Sequence, residues 1–99
     1  MANAIILEFD ATVGKQQYDA VNKELGIDSA KGTGDWPAGI VSHVGAVTDD
    51  GGFVVMEVWE SKDAQTAWMN GRLGAALGKV GVPAPVRVTW ADVVGEHRS

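Results

Sequence analysis

The chain has 99 residues, enough for one domain spanning 1–99. Hydrophobic residues make up 45% and charged residues 21%, the balance of a globular domain that buries about two thirds of its unfolded surface. A net charge of −5 argues against nucleic-acid binding, which needs a basic surface to replace phosphate counterions; with no cysteine, a disulfide framework, a thiolate metal site and a cysteine nucleophile are all excluded.

The opening MANAIILEF is apolar but lacks a basic segment and stops at Glu8, so no signal peptide or membrane span is expected, and a cytoplasmic location is the default. Asn3–Phe9 reads as a first strand. Thr12 is the expected helix N-cap. Tyr18, Val21 and Leu25 then share one face of an amphipathic helix over Lys15–Leu25, which Gly26 ends. The stretch GIDSAKGTGDWPA (26–38) is a loop, with Trp36 just ahead of the next strand. Ile40–Thr48 and Phe53–Glu60 flank Asp49-Asp50-Gly51-Gly52, a strong hairpin signal. Ser61 caps a long helix from Lys62 to Lys79, ended by Gly81-Val82-Pro83, and Pro85–Val94 is the last strand.

The order β-α-β-β-α-β is the ferredoxin-like arrangement, an α+β fold with a four-stranded antiparallel sheet and two helices on one face. A turn centred on Asp50-Gly51 pairs His43 with Val58, Val44 with Glu57 and Ser42 with Trp59. On that register His43 looks away from Glu57, onto the face of Met56 and Val58. Both hairpin faces are largely apolar, whereas a solvated antiparallel face would alternate with polar residues. Two helices cover only one face, so the pattern predicts a homodimer closed sheet on sheet. The second helix carries two apolar stripes, Ala64, Ala67, Trp68, Gly71, Ala75 and Gly78 on one side and Met69, Leu73, Ala76, Leu77 and Val80 on the other. Its glycines imply close packing, or room for a ligand beside Trp68.

His43 is a candidate general base, because an imidazole titrates near neutrality; the competing reading is a hydrogen-bonded core histidine. Glu57, mid-strand, is a second acid/base candidate or the partner of Arg72 or Arg87, since buried acids are rare unless paired. Trp36, Trp59, Trp68 and Trp90 are candidate walls of an aromatic pocket, and Tyr18 points either into it or into ordinary core. The candidate ligand-binding set is therefore Tyr18, Trp59, Trp68, Arg72 and Trp90. His97 lies in the polar tail, far in sequence from His43, and no metal site is expected. Phosphate-loop, flavin and nicotinamide motifs are absent.

QQYDAV at 16–21, DWPAGIVSHVGAVTDDGG at 35–52, VMEVWES at 55–61 and RLGAALGKVGVP at 72–83 together resemble small actinobacterial proteins of the dimeric α/β-barrel superfamily, akin to the antibiotic biosynthesis monooxygenases. The resemblance implies sheet-to-sheet dimers and a ligand cavity between helices and sheet. Among such relatives are cofactor-independent monooxygenases of polyphenols, haem-degrading enzymes and polyketide cyclases. Glu57 stands where that small family usually has Asp, and Trp68 where phenylalanine is common. The Asn, Trp and Arg site of the monooxygenases does not map onto this chain. Cofactor-independent oxygenation or cyclisation of an aromatic, polyketide-like substrate is thus one expectation. A non-catalytic ligand-binding or stress-associated protein is another. A haem binder with His43 as axial ligand is a third.

Overall fold

The computed structural model describes residues 2–97. Its elements are β1 (Asn3–Glu8), α1 (Lys15–Leu25), β2 (Ile27–Asp28), β3 (Thr33–Gly34), β4 (Ile40–Val47), β5 (Phe53–Trp59), α2 (Lys62–Trp68), a π-helical turn (Met69–Leu73), α3 (Gly74–Val80) and β6 (Arg87–Asp92). The four long strands form one antiparallel sheet in the order β4-β5-β1-β6. This is the expected ferredoxin-like α+β architecture. Ile5 and Leu7 of β1 and Phe53, Val55 and Trp59 of β5 are buried against Val21 and Leu25 of α1 and Trp68 and Ala76 of α2 and α3. The helices thus cover one face of the sheet. The opposite face, with Val44, Val54, Met56, Val58, Ala4 and Ile6, is uncovered, and Val44 and Met56 are 50% and 41% exposed.

Four expectations need correction, the last of them the hairpin register. Thr12 does not cap α1: its hydroxyl and its N–H both donate to the Asp10 carboxylate, closing a turn and holding that carboxyl below its usual range. The N-cap is Gly14, whose N–H donates to Gln17 Oε1 at 2.9 Å. The expected loop 26–38 contains a two-residue ladder, β2 with β3. The long second helix is broken in the middle, where Gly71 leaves helical geometry at φ −109°, ψ −112°. The Met69 carbonyl comes so close to Gly74 that a Cβ there would lie 2.5 Å from it. Of the two apolar stripes, Trp68, Met69, Leu73, Ala76 and Leu77 turn inward, while Ala67, Gly71, Ala75 and Gly78 are exposed.

The hairpin register differs by one residue from expectation, and its turn explains why. The Gly51 N–H donates to the Thr48 carbonyl at 2.9 Å and the Thr48 N–H to the Gly52 carbonyl at 2.8 Å. The loop is therefore three residues, Asp49-Asp50-Gly51, with Gly51 at φ 87°. That is a type I turn followed by a left-handed residue, a position glycine fills without steric cost. The Thr48 hydroxyl donates to the Asp50 carboxylate and accepts the Gly52 N–H at 2.9 Å. The Thr48 hydroxyl first, and then the Gly52 N–H, which also donates to Asp50 Oδ1 at 3.4 Å, hold the Asp50 carboxyl below its usual range. In consequence His43 pairs with Glu57, Val44 with Met56 and Gly45 with Val55. A bulge between Ile40 and Ser42 absorbs the extra residue at the other end, so Ile40 pairs with Trp59.

Candidate functional site

A one-residue slip exchanges the faces of a strand. The actual register turns His43 inward, beside Glu57, under the helices. His43 Nδ1 lies 2.7 Å from Glu57 Oε2, with side-chain exposures of 12% and 5%. Glu57 Oε1 accepts the Trp59 indole N–H at 3.0 Å. On the other side His43 Nε2 lies 2.5 Å from the Tyr18 hydroxyl. One proton assignment satisfies all three contacts. Tyr18 donates to Nε2, Nδ1–H donates to Glu57, and Trp59 donates to the other carboxylate oxygen. Helix α1 and strands β4 and β5 thus meet in a single hydrogen-bonded chain.

The aromatic surroundings fix this chain in place. The Tyr18 ring is nearly parallel to the imidazole, 5.7 Å between centroids and 11° between planes, and lies 5.1 Å from the Phe53 ring. Trp36 packs against His43 at 5.1 Å. Beneath Tyr18 is Gly45: a Cβ there would come within 2.7 Å of Tyr18 Cζ, so only glycine admits the ring. Sequence reasoning passed over Gly45. The available signal was a glycine two residues from His43 inside a strand, which often marks a close approach.

Tyr18, His43, Glu57 and Trp68 border one pocket between helices and sheet, with Trp36, Phe53, Met69 and Leu73 among its other walls. Its cavity volume is about 70 Å³, and it opens to solvent at its mouth. None of the residues lining it is a lysine or arginine. Trp59 is fully buried beneath the pocket and touches it only through Glu57. Trp90 sits apart on β6, with the Lys62 ammonium 5.6 Å from its ring. His97 makes no contact with this centre among those described, and no group of three or more potential metal ligands occurs among the described residues.

Arg72 also lies outside the pocket, and neither it nor Arg87 pairs with Glu57. Arg87 meets Glu8 at 3.5 Å. Carried on the π-helical turn, Arg72 Nη2 donates to the Leu25 carbonyl at 2.8 Å, and its guanidinium meets the Asp35 carboxylate at 3.0 Å and lies 4.9 Å from the Trp68 ring. It ties the end of α1 to the segment that carries Trp36. The ion pair is well exposed and adds little, but the bond to a backbone carbonyl and the stacking on Trp68 are more sheltered. Arg72→Ala is expected to lower stability by about 1–2 kcal/mol. Urea denaturation checks this, and an unchanged midpoint would remove the latch from the account.

The sequence matches no protein-family model and no curated relative. Its fold does have close counterparts, the ferredoxin-like proteins of the antibiotic biosynthesis monooxygenase type. A candidate antibiotic biosynthesis monooxygenase from Chloroflexus aurantiacus superposes with a TM-score of 0.67 at 19% identity, over 99% of this chain and 98% of that one. The ActVA-Orf6 monooxygenase of Streptomyces coelicolor, in complex with nanaomycin D, gives 0.55 at 18% identity, over 99% and 90%. A MhuD variant with two manganese protoporphyrin IX groups per active site gives 0.55 at 19% identity, over the full length of both chains. At such identities the likeness is one of fold.

Proposed function

We propose that this chain binds a small, uncharged aromatic molecule in the pocket between helices and sheet and removes a proton from it without a cofactor. The single observation that carries this reading is the hydrogen-bonded His43–Glu57 pair in the wall of a largely apolar pocket. The carboxylate holds Nδ1–H, leaves Nε2 as the basic nitrogen and stabilises the imidazolium once a proton arrives. Loss of a proton from an activated phenol leaves an electron-rich ring, which then reacts with dioxygen or closes on an electrophilic carbon of its own. Rings packed around the site supply the orientation. The fold shared with the ActVA-Orf6 monooxygenase lends this chemistry support.

The working form in this proposal is a homodimer closed through the apolar outer sheet face, in the cytoplasm. The exposed Val44 and Met56 support the first, and the cysteine-free sequence fits the second. No helix of the described residues is long and apolar enough to cross a membrane.

Turnover of a dihydroxynaphthalene or an anthrone, followed by oxygen uptake, tests the reading. His43→Gln keeps a hydrogen-bonding side chain but no proton acceptor of comparable strength, so the rate is expected to fall by at least about 100-fold. Turnover that survives this substitution would remove His43 from the chemistry. Saturable binding without any turnover would favour the non-catalytic alternative.

Haem fits these residues poorly. Axial ligation needs a free imidazole nitrogen, and both nitrogens of His43 are engaged. The pocket wall also has no lysine or arginine to pair with propionates. A Soret band on titration with haem, lost in His43→Ala, would reverse this conclusion.

A further inference from the structure

We infer that the Tyr18 hydroxyl, with His43 behind it, is the group that meets the ligand, and that the ligand class is an uncharged ring bearing a hydroxyl. This rests on the proton-abstraction site proposed above and reassigns its point of contact. His43 has no free atom to offer: Glu57 holds Nδ1, Tyr18 holds Nε2, and Trp36 and Tyr18 pack against the ring. Glu57 is more deeply buried still, with both oxygens already accepting.

Tyr18 differs. A phenolic oxygen donates once and accepts through its remaining lone pairs. Its one proton is committed to His43, so what it presents to the pocket is an acceptor. The complementary ligand is a donor, an aromatic O–H. An anionic ligand would meet an acceptor and a carboxylate with no cation on the wall. Gly45 and Phe53 hold the Tyr18 ring in the position that makes this contact.

The proton movement balances. The ligand O–H bond breaks and its proton passes to the Tyr18 oxygen. The original Tyr18 proton moves to His43 Nε2. The products are a phenolate ligand, a neutral Tyr18 and an imidazolium facing the Glu57 carboxylate. No oxidant is consumed in this step. Tyr18 then works as a serine hydroxyl does in front of a histidine, with a proton relayed rather than a bond formed.

The test is a binding comparison by tryptophan fluorescence, using 1-naphthol and 1-methoxynaphthalene on the full chain, together with turnover. Wild-type protein is expected to bind 1-naphthol about tenfold more tightly, the worth of one hydrogen bond in a sheltered site. Tyr18→Phe retains the ring over Gly45 and should bring that ratio close to one. It should also lower turnover by at least about 100-fold. Equal binding of the two probes by the wild type overturns the inference, and so does a naphthol preference that persists in Tyr18→Phe. Turnover retained in Tyr18→Phe but lost in His43→Gln would overturn it while leaving the proposed function standing. The expected binding pattern without any turnover would sustain the Tyr18 contact and sink the catalytic reading.

Discussion

Glu57→Ala is expected to destabilise the domain by about 3–5 kcal/mol, the range found when one partner of a buried polar pair is removed. Glu57 is buried and its carboxylate accepts from two sheltered donors, His43 Nδ1–H and the Trp59 indole N–H. Alanine strands both donors and leaves a void beneath the pocket, two penalties of separate origin. A domain of this size has a net stability on the order of 5–15 kcal/mol, so the loss is a large share of the whole. The melting temperature should drop by well over ~10 °C. Glu57→Gln separates the two penalties. It keeps the volume and one good acceptor, while its amide NH₂ faces a donor, so it should lose about 1–3 kcal/mol. The ordering wild type, Gln, Ala in urea midpoints is the checkable result. If Glu57→Ala melts with the wild type, the buried carboxylate contributes nothing to folding and the chain from Tyr18 to Trp59 is incidental.

That chain could be read only in part from the sequence. In β5 the alternation of Phe53, Val55, Glu57 and Trp59 is plain and puts all four on one face, but it does not say which face the helices cover; the structure buries this one beneath them. The partner strand is the difficulty. In β4 both alternating sets are apolar enough for either face, so hydrophobicity does not choose between them. The choice falls to the turn, and Asp50-Gly51 reads equally as a two-residue loop or as the end of a three-residue one. Thr48 tips it, because its hydroxyl bridges Asp50 and Gly52, a contact visible only once the loop is built. One residue of register moves His43 from the open face to Glu57. The π-helical turn is hidden for a related reason. Glycines at 71 and 74 announce a weak helix but not which way it yields, and so the outward swing of Arg72 to Leu25 and Asp35 had no signature. The α1 bounds, Lys15–Leu25, set by strong periodicity, needed no tertiary information.

Met56→Glu is expected to convert the proposed dimer into a monomer. Met56 lies mid-row on the open sheet face, paired with Val44 on one side and Ile6 on the other. The row beside it is Ser42, Val58, Ala4 and Ala91, and the next ends in the Glu8–Arg87 pair. The apolar patch is therefore bounded by polar groups at one end, the anatomy of an interface core with a wetter rim. Two copies closing on a two-fold axis would bring two glutamates into that core, and a buried charge without a partner opposes association strongly. The dimer dissociation constant should rise by roughly a thousandfold or more. The protomer itself should be little affected, because Met56 is 41% exposed and points away from the helices, where substitutions usually shift stability by under about 0.5 kcal/mol. Sedimentation at micromolar concentration reads the first effect and urea denaturation of the monomer reads the second. A wild-type monomer, or a Met56→Glu dimer, would mean that the open face is not where copies of this chain meet.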